Sequence, residues 1–219
     1  LNGDEPARAN MQRTAAAADA ALASINEMDS RWGSDFETKE LVAFLNTEWP
    51  KARDNATSTQ DSSALHNSVI QQGVFPLITT IATESKLVLD PDLDNRSVII
   101  ALTETLPRMT EALSQMRIQG TGALVARRNM APTQETRQFL AGQSALAEFE
   151  AQQLKSQLET VMAHNARFET DLRTIVSRSE TTRGVFMDNT ESSVVNATTL
   201  SATGAEAYFM LGGSAIDLS

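Results

Sequence analysis

Apolar residues recur three and four positions apart along most of the chain, and the breaks between these runs fall at proline, glycine and aspartate. The first run spans roughly Glu5 to Arg31, where Leu22, Ile25, Asp29 and Trp32 set three apolar groups and one acid on a single helical stripe. Gly33-Ser34 interrupts it, and "DFETKELVAFLNTEW" resumes with Phe36, Leu41, Phe44 and Leu45. Ser34 or Asp35 is placed to cap this second helix, with Glu37 and Glu40 near its positive end. Pro50 bends or ends it. After the polar connector "DNATSTQDSS", a third pattern from about Ser62 to Leu89 carries Leu65, Val69, Gln72, Ile78 and Ile81, and Pro76 is expected to kink it.

Beyond "DPDLDN" the periodicity returns through Val98, Leu102, Leu106, Met109, Leu113, Met116 and Leu124, with Pro107 inside the run. "RRNMAPT" breaks it: Arg127 and Arg128 suit a helix C-terminus, and Pro132 blocks simple continuation. The longest run follows, with Phe139, Leu146, Phe149, Leu154, Leu158, Val161, Phe168, Leu172 and Ile175 at near-heptad spacing. It predicts one helix from about Thr133 to Ser177, roughly 45 residues and about 68 Å long, which needs packing partners along its length. "ETTRGVFMDNTESS" continues more weakly, and "ATGAEAYFMLGGSAIDLS" reads as a last helix broken at Gly212-Gly213. "KLVL" and "SVII" are compatible with strands but lie inside longer helical periodicity. The expected fold is all-α: an elongated antiparallel bundle of about five to seven helices, one very long. It is read as a single domain over residues 1–219, with two stacked helical modules as the alternative.

Composition narrows the partners. The chain has 219 residues, 41% of them hydrophobic, enough to bury a core. Aromatics make up only 5%, which favours thin helical seams of small residues. A formal charge of -10 argues against nucleic acid and against a broad basic patch for anionic membranes, though a few arginines can still make a local anion site. With no cysteine, disulfides, thiolate metal sites and cysteine nucleophiles are excluded. No segment approaches the roughly 18 apolar residues of a membrane span. The sequence starts at Leu1 without a signal-peptide pattern, so we expect an excised or processed piece of a longer protein.

Candidate chemistry is sparse. Asp90, Asp92 and Asp94 are spaced like the opening of a calcium loop, but the loop glycine and distal glutamate are missing at their offsets, so a turn with helix caps is the preferred reading. His66 and His164 stand alone. "GTG" at Gly120 to Gly122 lacks a preceding strand, and nothing marks a catalytic triad. No catalytic residue, metal or cofactor is therefore assigned. Arg96, Arg108 and Arg117 lie among the apolar positions of one helix, where a guanidinium fork can hold a carboxylate or phosphate; each alone also reads as an ordinary surface arginine. Pro50, Pro76 and Pro107 interrupt three different helical patterns, and kinks open space between helices, where bundle ligands sit.

"SKLVLDPDLDNRSVIIALTETLPRMTEALSQMRIQGTG" resembles a segment that recurs in the extracytoplasmic sensor regions of bacterial membrane-anchored receptors: methyl-accepting chemotaxis receptors, sensor histidine kinases and diguanylate cyclases. Ser85, Leu87, Leu89, Asp90, Pro91, Asp92, Asp94, Leu106, Pro107, Arg117 and Gly120 fit that pattern; its tyrosine pair is replaced here by "RSVII". "AEAYFMLGGSAID" is a second, weaker echo. The resemblance implies a non-enzymatic periplasmic ligand-binding bundle between two membrane spans, acting as a parallel homodimer. The acidic stretch would then be the bend between two helices. A small ligand, an organic acid among the candidates, is expected between the Pro76 and Pro107 helices, with Arg96, Arg108 or Arg117 as its charged contact. The rival reading is a coiled-coil-rich structural or interaction domain without a small ligand.

Overall fold

In the computed structural model, residues 5–54, 59–126, 132–165, 167, 169–197 and 204–217 are described, and they are mostly helical with no strand among them. The expected all-α bundle is what the chain forms. Two compact units divide it, Leu1–Val88 and Leu89–Ser219.

The first unit holds α1 (Glu5–Trp32), α2 (Lys39–Asp54), α3 (Thr59–Ser68) and α4 (Phe75–Glu84). Its core is Val42, Leu45, Ala52, Val69 and Leu77, with Leu22, Ile25 and Trp49 packed against it. Polar contacts fix α1 on α2: the Trp49 indole donates to Asp19 at 2.6 Å, and Arg53 donates to both Asp19 oxygens at 2.9 Å. Asp29, the acid in the apolar stripe, holds the turn between them by accepting from the Thr38 hydroxyl at 2.6 Å. The second helix starts at Lys39, after Thr38, and not at Ser34 or Asp35. Those residues belong to the turn, which closes through Glu37 in the left-handed region at φ 53°. Pro50 lies inside α2, which runs on to Asp54.

Pro76 and Pro107 are accommodated alike. A widened π turn, Val69–Val74, joins α3 to α4, and at its end the Phe75 N–H reaches the Ile70 carbonyl, five residues back. A second, Ala101–Thr105, joins α5 (Leu93–Ile100) to α6 (Leu106–Ala126), where Leu106 reaches Ala101. Proline has no N–H and its ring crowds the preceding turn; one extra residue in that turn relieves both without ending the helix.

The second unit continues with α7 (Gln134–His164), α8 (Glu169–Thr190), a π turn over Glu191–Val195, and α9 (Ala205–Asp217). The single helix expected from Thr133 to Ser177 is therefore two. Asn165 leaves helical geometry at φ −140° and ψ 86°, a departure that asparagine tolerates well. Folding back supplies the partner a long rod would lack: Lys155 on α7 meets Glu180 on α8 at 3.0 Å.

The seam also shifts. Leu140, Ala147, Ala151, Leu154 and Val161 are the buried positions of α7, while Phe139, Leu146 and Phe149 are 39%, 40% and 55% exposed. Helix α6 packs on α7 and α9, and α8 packs on the same two, closing a ring around Met109, Leu113, Met116, Leu140, Phe186, Val194 and Tyr208. Nor does the last helix break at Gly212-Gly213. A Cβ at Gly212 would sit 2.7 Å from Arg117 Cγ, so the glycine makes room for the arginine stem and α9 runs on to Asp217. Arg127 and Arg128 lie outside the described residues.

Candidate functional site

Helix α9 has 13 residues and α7 has 31, so at 1.5 Å per residue α9 covers less than half the length of its neighbour. Within the second unit, a groove of about 380 Å³ lies between α5 with its π turn, α7 and α8, and no residue of α9 lines it. Its walls are Val98, Ala101, Leu102 and Leu106 on one side and Leu154, Leu158 and Val161 on the next, with Leu172, Ile175 and Val176 on α8. Leu102 and Ile175 are 59% and 55% exposed. The π turn thus shapes one wall, and Gln157 on α7 steadies it by donating to Thr105 at 2.9 Å.

One end of this apolar groove is polar. Ser179 and Arg183, one helical turn apart on α8, line it and are only 7% and 8% exposed. Ser179 Oγ and Arg183 Nε are buried and have no hydrogen-bond partner. Nearby hydroxyls on α8 do bond back to the helix: Thr181 to the Ser177 carbonyl at 2.9 Å and Thr182 to that of Arg178 at 3.0 Å. Among the described residues Arg183 has no carboxylate partner. Lys155 and Glu180 also reach the groove, but they satisfy each other, and the bond from Glu180 holds the Lys155 ammonium above its ordinary pKa. Burying a guanidinium or hydroxyl without a partner is costly. Arg117 Nε and Gln157 Oε1 are also buried without a partner, but only at this groove end do two such groups, Ser179 Oγ and Arg183 Nε, line one cavity.

A second, wider depression of about 650 Å³ lies along the α7–α8 pair, bordered by Lys155, Glu159, Glu169, Arg173 and Glu180. Its charges are largely answered: Arg173 pairs with Glu169 at 2.8 Å and Lys155 with Glu180. The apolar groove is the stronger candidate because Ser179 Oγ and Arg183 Nε in its lining are not.

The three arginines singled out from sequence do not converge. Arg96 on α5 and Arg108 at the start of α6 are exposed. Arg108 acts at a distance on Glu150, a buried carboxyl whose pKa burial raises, with the Arg108 charge opposing and Glu104 reinforcing the rise. Arg117 is half-buried 4.6 Å above the Phe209 ring, and burial lowers its pKa against the pull of Asp217. None of the three lines the groove. Pro76 belongs to the first unit and Pro107 to the second.

Sequence reasoning missed Ser179 and Arg183. The apolar stripe was traced only to Ile175; carried on by four and eight residues, it reaches both.

The acidic stretch makes a turn. The Asp92 N–H donates to the Asp90 carboxylate at 2.9 Å, and Asp92 occupies the N-cap of α5 in extended geometry without capping through its side chain. Among the described residues, no group of three or more histidines and carboxylates is placed to hold a metal ion.

The two segments that carried the sensor resemblance face each other. Gly120 leaves the space that Tyr208 fills, and Arg117 lies along Gly212. The Tyr208 hydroxyl is bonded to Thr190 at 2.8 Å and donates to the Met116 carbonyl at 3.2 Å. Comparison with protein-family models, curated proteins and solved structures gives no match. No described helix is long and apolar enough to cross a membrane.

Proposed function

We propose that the chain is the ligand-binding sensor domain of a membrane-anchored bacterial receptor, extracytoplasmic in placement, with no catalytic activity of its own. The observation that carries the reading is the apolar groove of the second unit, with Ser179 Oγ and Arg183 Nε buried and unpartnered at one end. A mostly apolar cleft of this size with a few convergent polar groups is the usual form of a small-molecule site. The groove wall includes α8, and α8 packs on α9, the last helix; a ligand that favours one seating of α8 would bias α9 through the Tyr208–Thr190 contact. The resemblance of the Ser85–Gly120 segment to receptor sensor regions supports the same reading.

The test is a stability-shift screen of organic acids, amino acids, amines and sugars, run in parallel on Leu158→Trp, which fills the groove. A ligand at 100 times its dissociation constant adds about 2.7 kcal/mol to the folded state. A compound that stabilises the natural chain and not the filled variant is the expected outcome; equal stabilisation of both, or of neither, contradicts the reading.

A second reading, an interaction domain without a small ligand, is favoured by one feature. Phe139, Leu146 and Phe149 form an exposed apolar stripe on α7. Within the sensor reading this stripe is the candidate face for a second copy in a receptor homodimer. Crosslinking through cysteines placed at Gln143 and Gln153 of the intact receptor should trap dimers; a receptor that stays monomeric refutes that part.

A further inference from the structure

The geometry points to a specific ligand class for the groove: an aliphatic monoanion, with a carboxylate head held by Arg183 and Ser179 and an unbranched apolar tail along the leucine wall. The inference rests on the groove being the ligand site. It goes further in naming two residues and a chemistry.

Charge comes first. Of the charged side chains that line the groove, Lys155 and Glu180 neutralise each other across 3.0 Å, which leaves Arg183 as the unanswered cation. A guanidinium offers a rigid fork of donors, and a carboxylate matches it with two acceptor oxygens. The Ser179 hydroxyl, one turn away on the same face, adds a donor for the same head group. A primary ammonium would meet the like charge of Arg183, and the Glu180 carboxylate beside it is already paired with Lys155. An alcohol could use the hydroxyl but would leave the guanidinium unpaired.

Shape and polarity then set the tail. Away from Ser179 and Arg183 the groove is walled by Leu102, Leu106, Leu154, Leu158, Leu172 and Ile175. A second carboxylate on the ligand would lie against these side chains with no donor, and the cost of desolvating an unpaired charge disfavours dicarboxylates. An alkyl chain instead covers Leu102 and Ile175, the two most exposed apolar residues of the groove lining.

The test is calorimetric titration of the intact chain with four matched series of straight-chain compounds: monocarboxylates, dicarboxylates, primary alcohols and primary amines. Monocarboxylates should bind, with affinity rising roughly fourfold per added methylene, the equivalent of ~0.8 kcal/mol for each buried CH₂. Dicarboxylates, alcohols and amines of the same length should bind at least tenfold more weakly. Arg183→Gln should abolish the preference for the acid over the alcohol, and Arg183→Lys should restore part of it. If Arg183→Gln fails to fold, Ser179→Ala carries the test: it removes an unpartnered buried hydroxyl, so it should fold at least as well as the natural chain and bind the acid severalfold more weakly. Alcohols or amines that bind as tightly as acids, and lose affinity in Leu158→Trp, overturn the ligand class while the groove remains a site. Acid binding unchanged in both Arg183→Gln and Ser179→Ala overturns the assignment of the head group, as does the absence of binding by every monocarboxylate. The broad screen on Leu158→Trp, by contrast, decides whether the groove binds anything.

Discussion

Replacing Gly120 by alanine sets two effects of opposite sign against each other. Gly120 lies inside α6, where alanine improves helix propensity by about 1 kcal/mol. The new Cβ, however, would stand 2.3 Å from the Tyr208 hydroxyl oxygen and 2.5 Å from Cε1 and Cζ of the ring. That ring is fully buried, packs on Phe186 at 5.1 Å between centroids, and is pinned by bonds to Thr190 and the Met116 carbonyl. It is not the free end of a flexible side chain. Overpacking of this kind costs about 1–3 kcal/mol, and each displaced hydrogen bond about 1 kcal/mol more. The net expectation is a loss of about 2–4 kcal/mol, a fall of roughly 5–15 °C in the melting temperature of the second unit. The molecule carries its own reporters: Tyr208 is the only tyrosine and lies in the second unit, while both tryptophans, Trp32 and Trp49, lie in the first. Thermal and urea unfolding followed by the tyrosine signal should show the loss, with the tryptophan transition reporting the first unit separately. Gly142→Ala on α7 is the matched control; nothing stands within 4 Å of its Cβ position, so a gain of about 0.5–1 kcal/mol is expected. If Gly120→Ala were as stable as the natural chain, the close seating of Tyr208 on α6 would be refuted.

Two further predictions concern titration. Burial pushes the Tyr208 phenol from 10.0 up to about 12, so the folded state favours the neutral form; stability is fully present below pH 10 and is lost as pH rises through 12, which phenolate absorbance and alkaline unfolding both measure. Burial likewise raises the Glu150 carboxyl above its ordinary 4.5, so its charged form is disfavoured in the fold. Glu150→Gln should therefore melt higher than the natural chain at neutral pH, with the gap closing as acid protonates Glu150; a variant less stable at neutral pH would show that the carboxylate has a partner.

Most of the helices were legible because their seams repeat at helical spacing and their breaks carry proline or glycine. Periodicity alone could not say which of two neighbouring apolar stripes on α7 faces inward, because Leu140 and Phe139 are adjacent and each begins a plausible series. The outcome was set by the small side chains of Ala147 and Ala151, which let helices approach where phenylalanine would not. The break at Asn165 carried no proline or glycine, and it lets α8 pack back on α7. Gly212-Gly213 misled in the other direction: two glycines signal a helix end in isolation, but here Gly212 makes room for Arg117. That arginine, the best fit to the sensor pattern, serves packing of the last helix, whereas the unpartnered Arg183 sits in a stretch whose helical pattern was weak. A buried polar group reveals its lack of a partner only once neighbours from three elements are in place.

The most direct measurement is a structure of the chain with its tightest-binding straight-chain monocarboxylate. The expected result is a ligand in the groove between α5, α7 and α8, its carboxylate within hydrogen-bond distance of Arg183 and Ser179 and its tail along Leu106, Leu154 and Leu158. A carboxylate bound instead at Arg96 or Arg108, or a ligand lying in the groove with its head turned away from Arg183, would contradict it.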